Sequence, residues 1–378
     1  MDIKKLREIC GIVSGGTPLR TNAEFWDGGI IPWIKIGDIK GKYVSDADEH
    51  ITQAGLEGSS AKMLSKGTIL YTIFATLGEV GILTIDACTN QAIAGITIRN
   101  KDEVLTDYLY YYLKSKKSYV NNLGRGVAQN NINLSILRDL EVPLPTLSVQ
   151  RQTVDILDKT AKVIKYRQQQ LQKLDNLIKA RFVEMFGDVI RNSKSWEIRV
   201  LADIASSRLG KMLDTKQQTG ECSYPYLANF NVQWFRFNTE NLNQMDFNEE
   251  DRIEFELQNG DLLVCEGGEI GRCAVWHNEI QPCFFQKALH RVRCNRQIVH
   301  PDYLGWWFKY NCDHDGFATI AGAKATIAHL PGVKLKQLRV AIPPLELQEQ
   351  FAAFVNQTDK SKVVVQKALS KNVQYFTI

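Results

Sequence analysis

Two polar loops early in the chain combine glycine with hydrogen-bonding side chains. They are Ser14-Gly15-Gly16-Thr17-Pro18-Leu19-Arg20 and Gly124-Arg125-Gly126-Val127-Ala128-Gln129-Asn130-Asn131. Glycine lets a backbone approach a partner closely. Arg and Gln match the edges of guanine and adenine, and backbone N–H groups suit phosphate. Gly16, Thr17, Arg20, Arg125, Gln129 and Asn131 are the candidates there; plain solvated turns are the alternative. Much later, Ile280 to Pro301 holds no acidic residue and carries Lys287, Arg291, Arg293 and Arg296 with His290 and His300. On a strand, Arg291 and Arg293 would share a face. Such a face is the electrostatic footprint of a polyanion, or else a solvated charged surface. Lys211 and Lys216, in Gly210-Lys211-Met212-Leu213-Asp214-Thr215-Lys216, are weaker candidates of the same kind.

Bond-making chemistry has little to stand on. The chain lacks Gly-x-x-x-x-Gly-Lys-Ser/Thr, so no P-loop is expected. It also lacks the Asn/Asp-Pro-Pro-aromatic tetrad of amino-methyltransferases; Ile342-Pro343-Pro344-Leu345 reads as a helix lead-in. Gly267-Gly268-Glu269-Ile270-Gly271 falls short of a dinucleotide fingerprint. Pro301-Asp302 has no Glu-x-Lys at useful spacing to make a nuclease site. The 6 histidines lack metal-ligand spacing, and the 8 cysteines are scattered without a Cys-x-x-Cys pair. The expected role of the cysteines is as buried thiols in a reducing compartment. The net charge of +4 is too mild to argue for nucleic acid by itself. No run of about 18 apolar residues suggests a membrane span, and the first residues lack a signal-peptide core, so a cytoplasmic location is expected.

The elements that would carry these loops are written twice. Leu6-Arg7-Glu8-Ile9 is answered by Leu201-Ala202-Asp203-Ile204, and Gly78-Glu79-Val80-Gly81 by Gly268-Glu269-Ile270-Gly271. Asp107-Tyr108-Leu109 returns as Asp302-Tyr303-Leu304, and the Pro145 to Gln150 run as Pro343 to Gln348. The offset stays near 195, the length of a domain plus a connector and too long for a solenoid repeat. Within each copy, short β-rich runs (Gly67 to Thr72, Gly81 to Ile85, Ile93 to Arg99; Asp261 to Cys265, Cys273 to Trp276, Leu289 to Cys294) predict strands. Asp107 to Ser115 and Asp302 to Tyr310 predict helices, whose aromatics Tyr108, Tyr111, Tyr112, Tyr303, Trp306 and Trp307 belong to a core rather than to base stacking.

Each copy then runs into a long stretch free of Gly and Pro, Leu147 to Phe186 and Leu345 to Ile378. Leu157, Ile164, Leu171, Ile178 and Phe182 recur at heptad spacing in the first, with Gln168 as a polar member. Phe351, Val355, Val365, Leu369 and Phe376 do so in the second, with Lys362 and Asn372. Neither stripe can be buried alone, so the helices are expected to pack on each other, antiparallel. The predicted architecture is α/β (α+β): domains at 1–146 and 188–344, related by a pseudo-two-fold axis, with helical spacers at 147–187 and 345–378 forming a long antiparallel two-helix coiled coil.

These runs resemble the specificity subunits of type I restriction–modification enzymes over nearly the whole chain. The likeness is carried by Ile31-Pro32-Trp33-Ile34-Lys35-Ile36-Gly37-Asp38-Ile39, Ala75 to Gly81 and Asn90-Gln91-Ala92-Ile93 in the first copy. In the second it is carried by Gly210 to Asp214, Pro225 to Asn229, Asn231-Val232-Gln233-Trp234, Gly260 to Cys265, Gly267 to Trp276 with Arg272, and Gln286 to Val292. One departure is Thr72-Ile73-Phe74-Ala75, where many members carry a basic residue. The resemblance implies two target-recognition domains, each reading half of a split double-stranded DNA target, and adds Lys35, Gln233 and Arg272 to the DNA-binding candidates. It implies a non-catalytic chain that recruits two methyltransferase (modification) subunits through its helices. Restriction/translocase subunits then join, and S-adenosylmethionine, ATP and Mg²⁺ reside on the partners. The competing readings are a DNA-modifying or DNA-cutting enzyme acting alone and a coiled-coil scaffold for protein partners without DNA.

Overall fold

The computed structural model describes residues 2–124, 131–214, 218–317 and 329–376. Two compact units emerge, Met1–Gln168 with Lys367–Ile378, and Gln169–Gln366.

In the first unit a five-stranded sheet has the order β2 (Cys10–Ser14), β9 (Ile93–Ile98), β6 (Ile69–Thr72), β7 (Val80–Leu83) and β4 (Tyr43–Val44). Both faces of β6 and β7 are buried, which is why they read as unbroken apolar runs instead of alternating ones. A second sheet orders β5 (Glu49–Ile51), β3 (Ile31–Ile34) and β8 (Cys88–Thr89). The ends of the domain are tied by β1 (Asp2–Lys5) against β10 (Glu141–Leu144).

The second unit repeats this plan. β11 (Glu197–Val200) pairs with β21 (Arg339–Ile342). β12 (Ala205–Leu209), β20 (Leu289–Cys294), β17 (Asp261–Cys265) and β18 (Cys273–Val275) take the places of β2, β9, β6 and β7. β16 (Asn243–Asp246), β13 (Ser223–Leu227) and β19 (Phe284–Phe285) take those of β5, β3 and β8, with one antiparallel and one parallel pairing in each copy. A two-residue pair, β14 (Val232–Gln233) with β15 (Arg236–Phe237), is added. Gly67 and Gly260 enter β6 and β17 at φ 90° and 93°, a conformation open to glycine at no steric cost.

The helices Thr106–Ser115 and Pro301–Asp313 cover these sheets with aromatic faces. Tyr108 Oη donates to the Pro143 carbonyl at 2.7 Å, and Tyr303 Oη to that of Ala341 at 2.5 Å, the same contact in each copy. Trp306 and Trp307 are buried and Tyr111 packs in the first core, so these rings hold the fold together. The thiols of Cys10, Cys88, Cys265, Cys273 and Cys283 are also buried, and burial pushes Cys10 up to about 12; Cys222 is exposed. Among the described residues no helix is long and apolar enough to cross a membrane.

The long helices span Leu147–Phe186 and Leu345–Phe376. The first stops at Gly187, φ 73°. Within the second unit the two run antiparallel: Phe186 and Phe182 meet Phe351 at 5.4 and 5.5 Å between ring centroids, while Asp175 meets Lys362 at 2.8 Å. Burial works against the Lys362 ammonium, yet its bonds to Asp175 and Asp359 raise its pKa, so this polar seam position is a paired one. The seam differs from the sequence expectation in two ways. Arg167 is half-buried and Gln168 is exposed. And the stripe ends inside the domains: Leu157 packs with Val154 on the first core, whereas Ile178, Phe182, Phe351 and Val355 belong to the second. Ile164, Leu171 and Val365 are half-buried and Leu369 is buried; the Phe376 side chain lies outside the described residues. Phe182 also stacks on Tyr303 at 6.0 Å and leans on Tyr310 at 5.7 Å. Phe182→Ala is expected to destabilise the second unit by about 3–5 kcal/mol, read as a fall in the denaturation midpoint.

Candidate nucleic-acid interface

In each unit the three central strands bring the same loops to one end of the sheet. Ser14 pairs with Ala94, and Thr72 with Ile93, so the loops after β2 and β6 and before β9 emerge together. In the second copy Leu209 faces His290 and Cys265 faces Leu289. The backbone bonds that knit these loops are duplicated. Gly15 N–H donates to Ile93 O, and Gly210 N–H to Leu289 O, both at 3.0 Å. Ile73 N–H reaches Ala92 O, and Glu266 N–H reaches Ala288 O, both at 2.9 Å. A Cβ on Gly15 would lie 2.2 Å from the Thr89 carbonyl, and one on Gly210 2.4 Å from that of Gln286. Glycine is therefore needed for chain-to-chain contact inside the protein.

The sequence candidates divide sharply at this end. Gly16 is buried; its N–H donates to Thr89 O and its carbonyl accepts from Trp33 Nε1 at 2.9 Å, so it builds the loop. Trp26 Nε1 donates to Leu19 O at 3.1 Å, and the Arg20 guanidinium lies 3.8 Å from the Trp26 ring centroid and 4.7 Å from that of Trp33. Glu49 clasps Arg20 with one carboxylate oxygen and Lys35 with the other, the latter at 2.6 Å; these two bonds hold the Glu49 carboxyl below its ordinary range. Arg20 thus stands exposed but fixed, on a platform of two tryptophans. Thr17 hydrogen-bonds Gln91 across the same edge, and Asn131 bridges to the exposed Phe74. Arg125 and Gln129 lie outside the described residues.

In the second unit Arg293 makes a bidentate pair with the buried Asp261 at 2.7 and 2.8 Å, which raises its pKa. Arg291 donates to Glu254 O at 2.7 Å, and burial lowers its pKa. The strand does place both on one face; Asp261 neutralises Arg293, while Arg291 is tied down by backbone carbonyls. Alternation fixes the direction of a side chain, not what it meets. Lys211 donates to Asp246 O and pairs with Asp251. Arg272 donates to Asn229 O and Oδ1, both at 3.1 Å. Lys287 is exposed, and its ammonium has no partner among the described residues; Gln233 is half-buried and donates to Phe230 O at 3.1 Å. Lys216 lies outside the described residues. Sequence reasoning missed Trp26, Glu49, Phe74, Gln91 and the exposed Phe230, whose loop is tied by Asn229 to Gly267 O at 3.0 Å. Trp33, Phe74 and Gln91 stand in the runs compared with the family, but nothing in their spacing pointed to these contacts. Among the described residues no cluster of His, Cys, Asp and Glu could hold a metal ion.

His290, at the base of this end, is buried with Nε2 3.1 Å from Leu330 O, and burial lowers its pKa despite Glu266 nearby. Lys336 opposes protonation further. The unfolded chain takes up this proton first, near pH 6.5, so stability is lost as pH falls from about 6.5 toward the lowered value. The thermal midpoint is expected to drop more between pH 7.5 and 5.5 in the native chain than in His290→Gln, measured side by side.

The fold and these paired loop clusters define a class: a protein made of one binding module written twice, each module leading into a long helix. A family model for the type I restriction modification DNA specificity domain matches residues 1–176 and again 193–375, and the chain belongs to that family. It is 29% identical over 229 residues to the type I restriction enzyme MjaIX specificity subunit of Methanocaldococcus jannaschii, covering 55% of this chain and 52% of that protein. It is 26% identical over 162 residues to the Escherichia coli EcoR124I/EcoR124II specificity subunit, covering 41% of this chain and 40% of that one. These matches span about half or less of the length of the curated relatives. Among solved structures, the M. genitalium type I restriction–modification S subunit superposes with a TM-score of 0.57 at 15% identity, over 99% of this chain and 93% of that one. A chain from a study of complex assembly and conformational transition of the type I R-M system gives 0.63 at 14% identity, over 99% and 94%. At such identity the likeness concerns the fold.

Proposed function

We propose that this chain is the DNA-reading, non-catalytic specificity subunit of a type I restriction–modification complex. In this reading each loop cluster reads one half of a bipartite double-stranded target, and the helices hold the halves at a set gap. The observation that carries it is the same loop cluster, knit by the same backbone bonds, in both copies of a chain belonging to the DNA specificity family. Residues 1–146 and 188–344 act as the target-recognition domains, and 147–187 with 345–378 as the spacers. Thr17, Arg20, Gln91 and Asn131 face the first half-site, with Arg125 and Gln129 from the adjoining segment. Lys287, Gln233 and Lys216 face the second. Gly16, Lys35, Lys211, Arg272, Arg291 and Arg293 support the surface from behind, since each is bonded within the fold and at least half-buried, whereas Arg20 is bonded to Glu49 but exposed. Methyltransferase and restriction/translocase subunits are the protein partners, and S-adenosylmethionine, ATP and Mg²⁺ are theirs. The chain is expected to act in the cytoplasm.

The test is duplex binding by the chain with its modification partners, across a salt series. Log affinity is expected to fall against log salt with a slope of about −0.9 per phosphate contacted. Methylome sequencing of the host should return a split motif. Methyl transfer to DNA by the purified chain alone, or binding indifferent to salt, overturns the proposal.

A further inference from the structure

Each long helix begins with a buried glutamine that makes the same three bonds. Gln150 and Gln348 are both 0% exposed. Gln150 Oε1 accepts the Leu105 N–H at 2.9 Å, while Nε2 donates to Glu103 O at 2.9 Å and Pro145 O at 3.0 Å. Gln348 Oε1 accepts the His300 N–H at 2.8 Å, while Nε2 donates to Ile298 O at 3.1 Å and Pro343 O at 2.8 Å. Leu105 and His300 are the N-cap residues of the aromatic helices. The amide therefore bolts the first turn of a long helix to the start of the domain's own helix and to the proline lead-in.

The surroundings of this bolt differ between the copies. In the first, Asp158 on the long helix takes Tyr111 Oη and Lys42 Nζ, a polar cluster. In the second, Trp306 stands at the position of Tyr111 and packs near Phe351 and Phe182, an aromatic one. Only an amide supplies one acceptor and two donors in this arrangement. An apolar residue of similar volume would fill the space but leave one backbone N–H and two carbonyls without that partner. What the amide adds is direction. Apolar packing by Val154 and Leu157, or by Phe351 and Val355, leaves a helix free to rock by small amounts, and three convergent bonds remove that freedom.

We infer that Gln150 and Gln348 are positioning residues that fix the direction in which each long helix leaves its reading domain, and so set how strictly the complex holds one gap between half-sites. This rests on the bipartite-target reading above. The test uses the full chain assembled with its modification subunits and a panel of duplexes carrying the half-sites of its methylated motif at gaps from two base pairs shorter to two longer. The unsubstituted complex is expected to prefer one gap by about tenfold or more. Gln150→Met and Gln348→Met, each made singly, are expected to reduce that preference to about threefold or less, with unchanged half-site sequences and an assembled complex. Because either single variant can be scored, failure of one to assemble leaves the other decisive. Variants that bind with undiminished gap preference overturn the inference, and show the amide to be a stabilising bond only. An unsubstituted complex that ignores the gap overturns the bipartite ruler, and this inference with it.

Discussion

Removing Leu171–Leu177 from the first long helix together with Asp359–Val365 from the second is expected to shorten the preferred gap by about three base pairs while both half-sites stay the same. Seven helical residues rise about 10 Å, and B-DNA rises about 3.4 Å per base pair. The two segments are matched, because Asp175 in one pairs with Lys362 in the other and both leave together. Each cut removes one heptad, so Ile178 and Leu369 inherit the seam positions of Leu171 and Lys362. Three base pairs also turn the duplex by about 100° at 10–10.5 base pairs per turn, so affinity should fall even at the new optimum. Methylome sequencing of a host carrying the shortened chain measures both quantities. Altered half-sites at an unchanged gap would sink the ruler model.

The second large effect concerns partners. Val149, Ile156, Val163 and Leu177 lie at multiples of seven along the first long helix, and Ile156 and Leu177 are 62% and 49% exposed. Each is an exposed apolar position apart from the seam that holds Ile178 and Phe182, and exposed heptad positions of this kind suit packing against a partner helix. Ile156→Asp with Leu177→Asp is expected to leave the thermal midpoint within a few degrees, since exposed substitutions act within about 0.5 kcal/mol. Capture of the methyltransferase subunits should fall by about a hundredfold, as charges entering an apolar interface cost on the order of 1–3 kcal/mol each. Co-purification from a strain expressing all subunits reads this directly. Undiminished assembly would place the partner surface elsewhere.

How far the sequence reached can be judged element by element. The first long helix was legible at both ends and the second at its start, because absence of Gly and Pro, the proline lead-ins and Gly187 are local signals. The duplication was legible because matched runs keep one order and nearly one offset. β6 and β17 were legible as strands from their short β-rich runs. The surface chemistry was much less so. Arg291 and Arg293 were placed on one strand face correctly, yet the Asp261 carboxylate neutralises Arg293 and the Glu254 carbonyl ties down Arg291, each from 30 or more residues away.

By itself, then, the sequence determined the periodic features: where helices and strands run, that one module is written twice, and which family the motifs resemble. Periodicity and chain stiffness are properties of neighbours in sequence, so no distant contact is needed to see them. Only the tertiary structure decided which charged groups remain free. It set Arg20 on Trp26 and Trp33 beneath Glu49, closed the Arg293–Asp261 pair, and buried Gln150 and Gln348 in matching bonds. A side chain's charge is written in its residue type. Whether that charge meets solvent or a partner depends on which residues folding brings within about 3 Å of it.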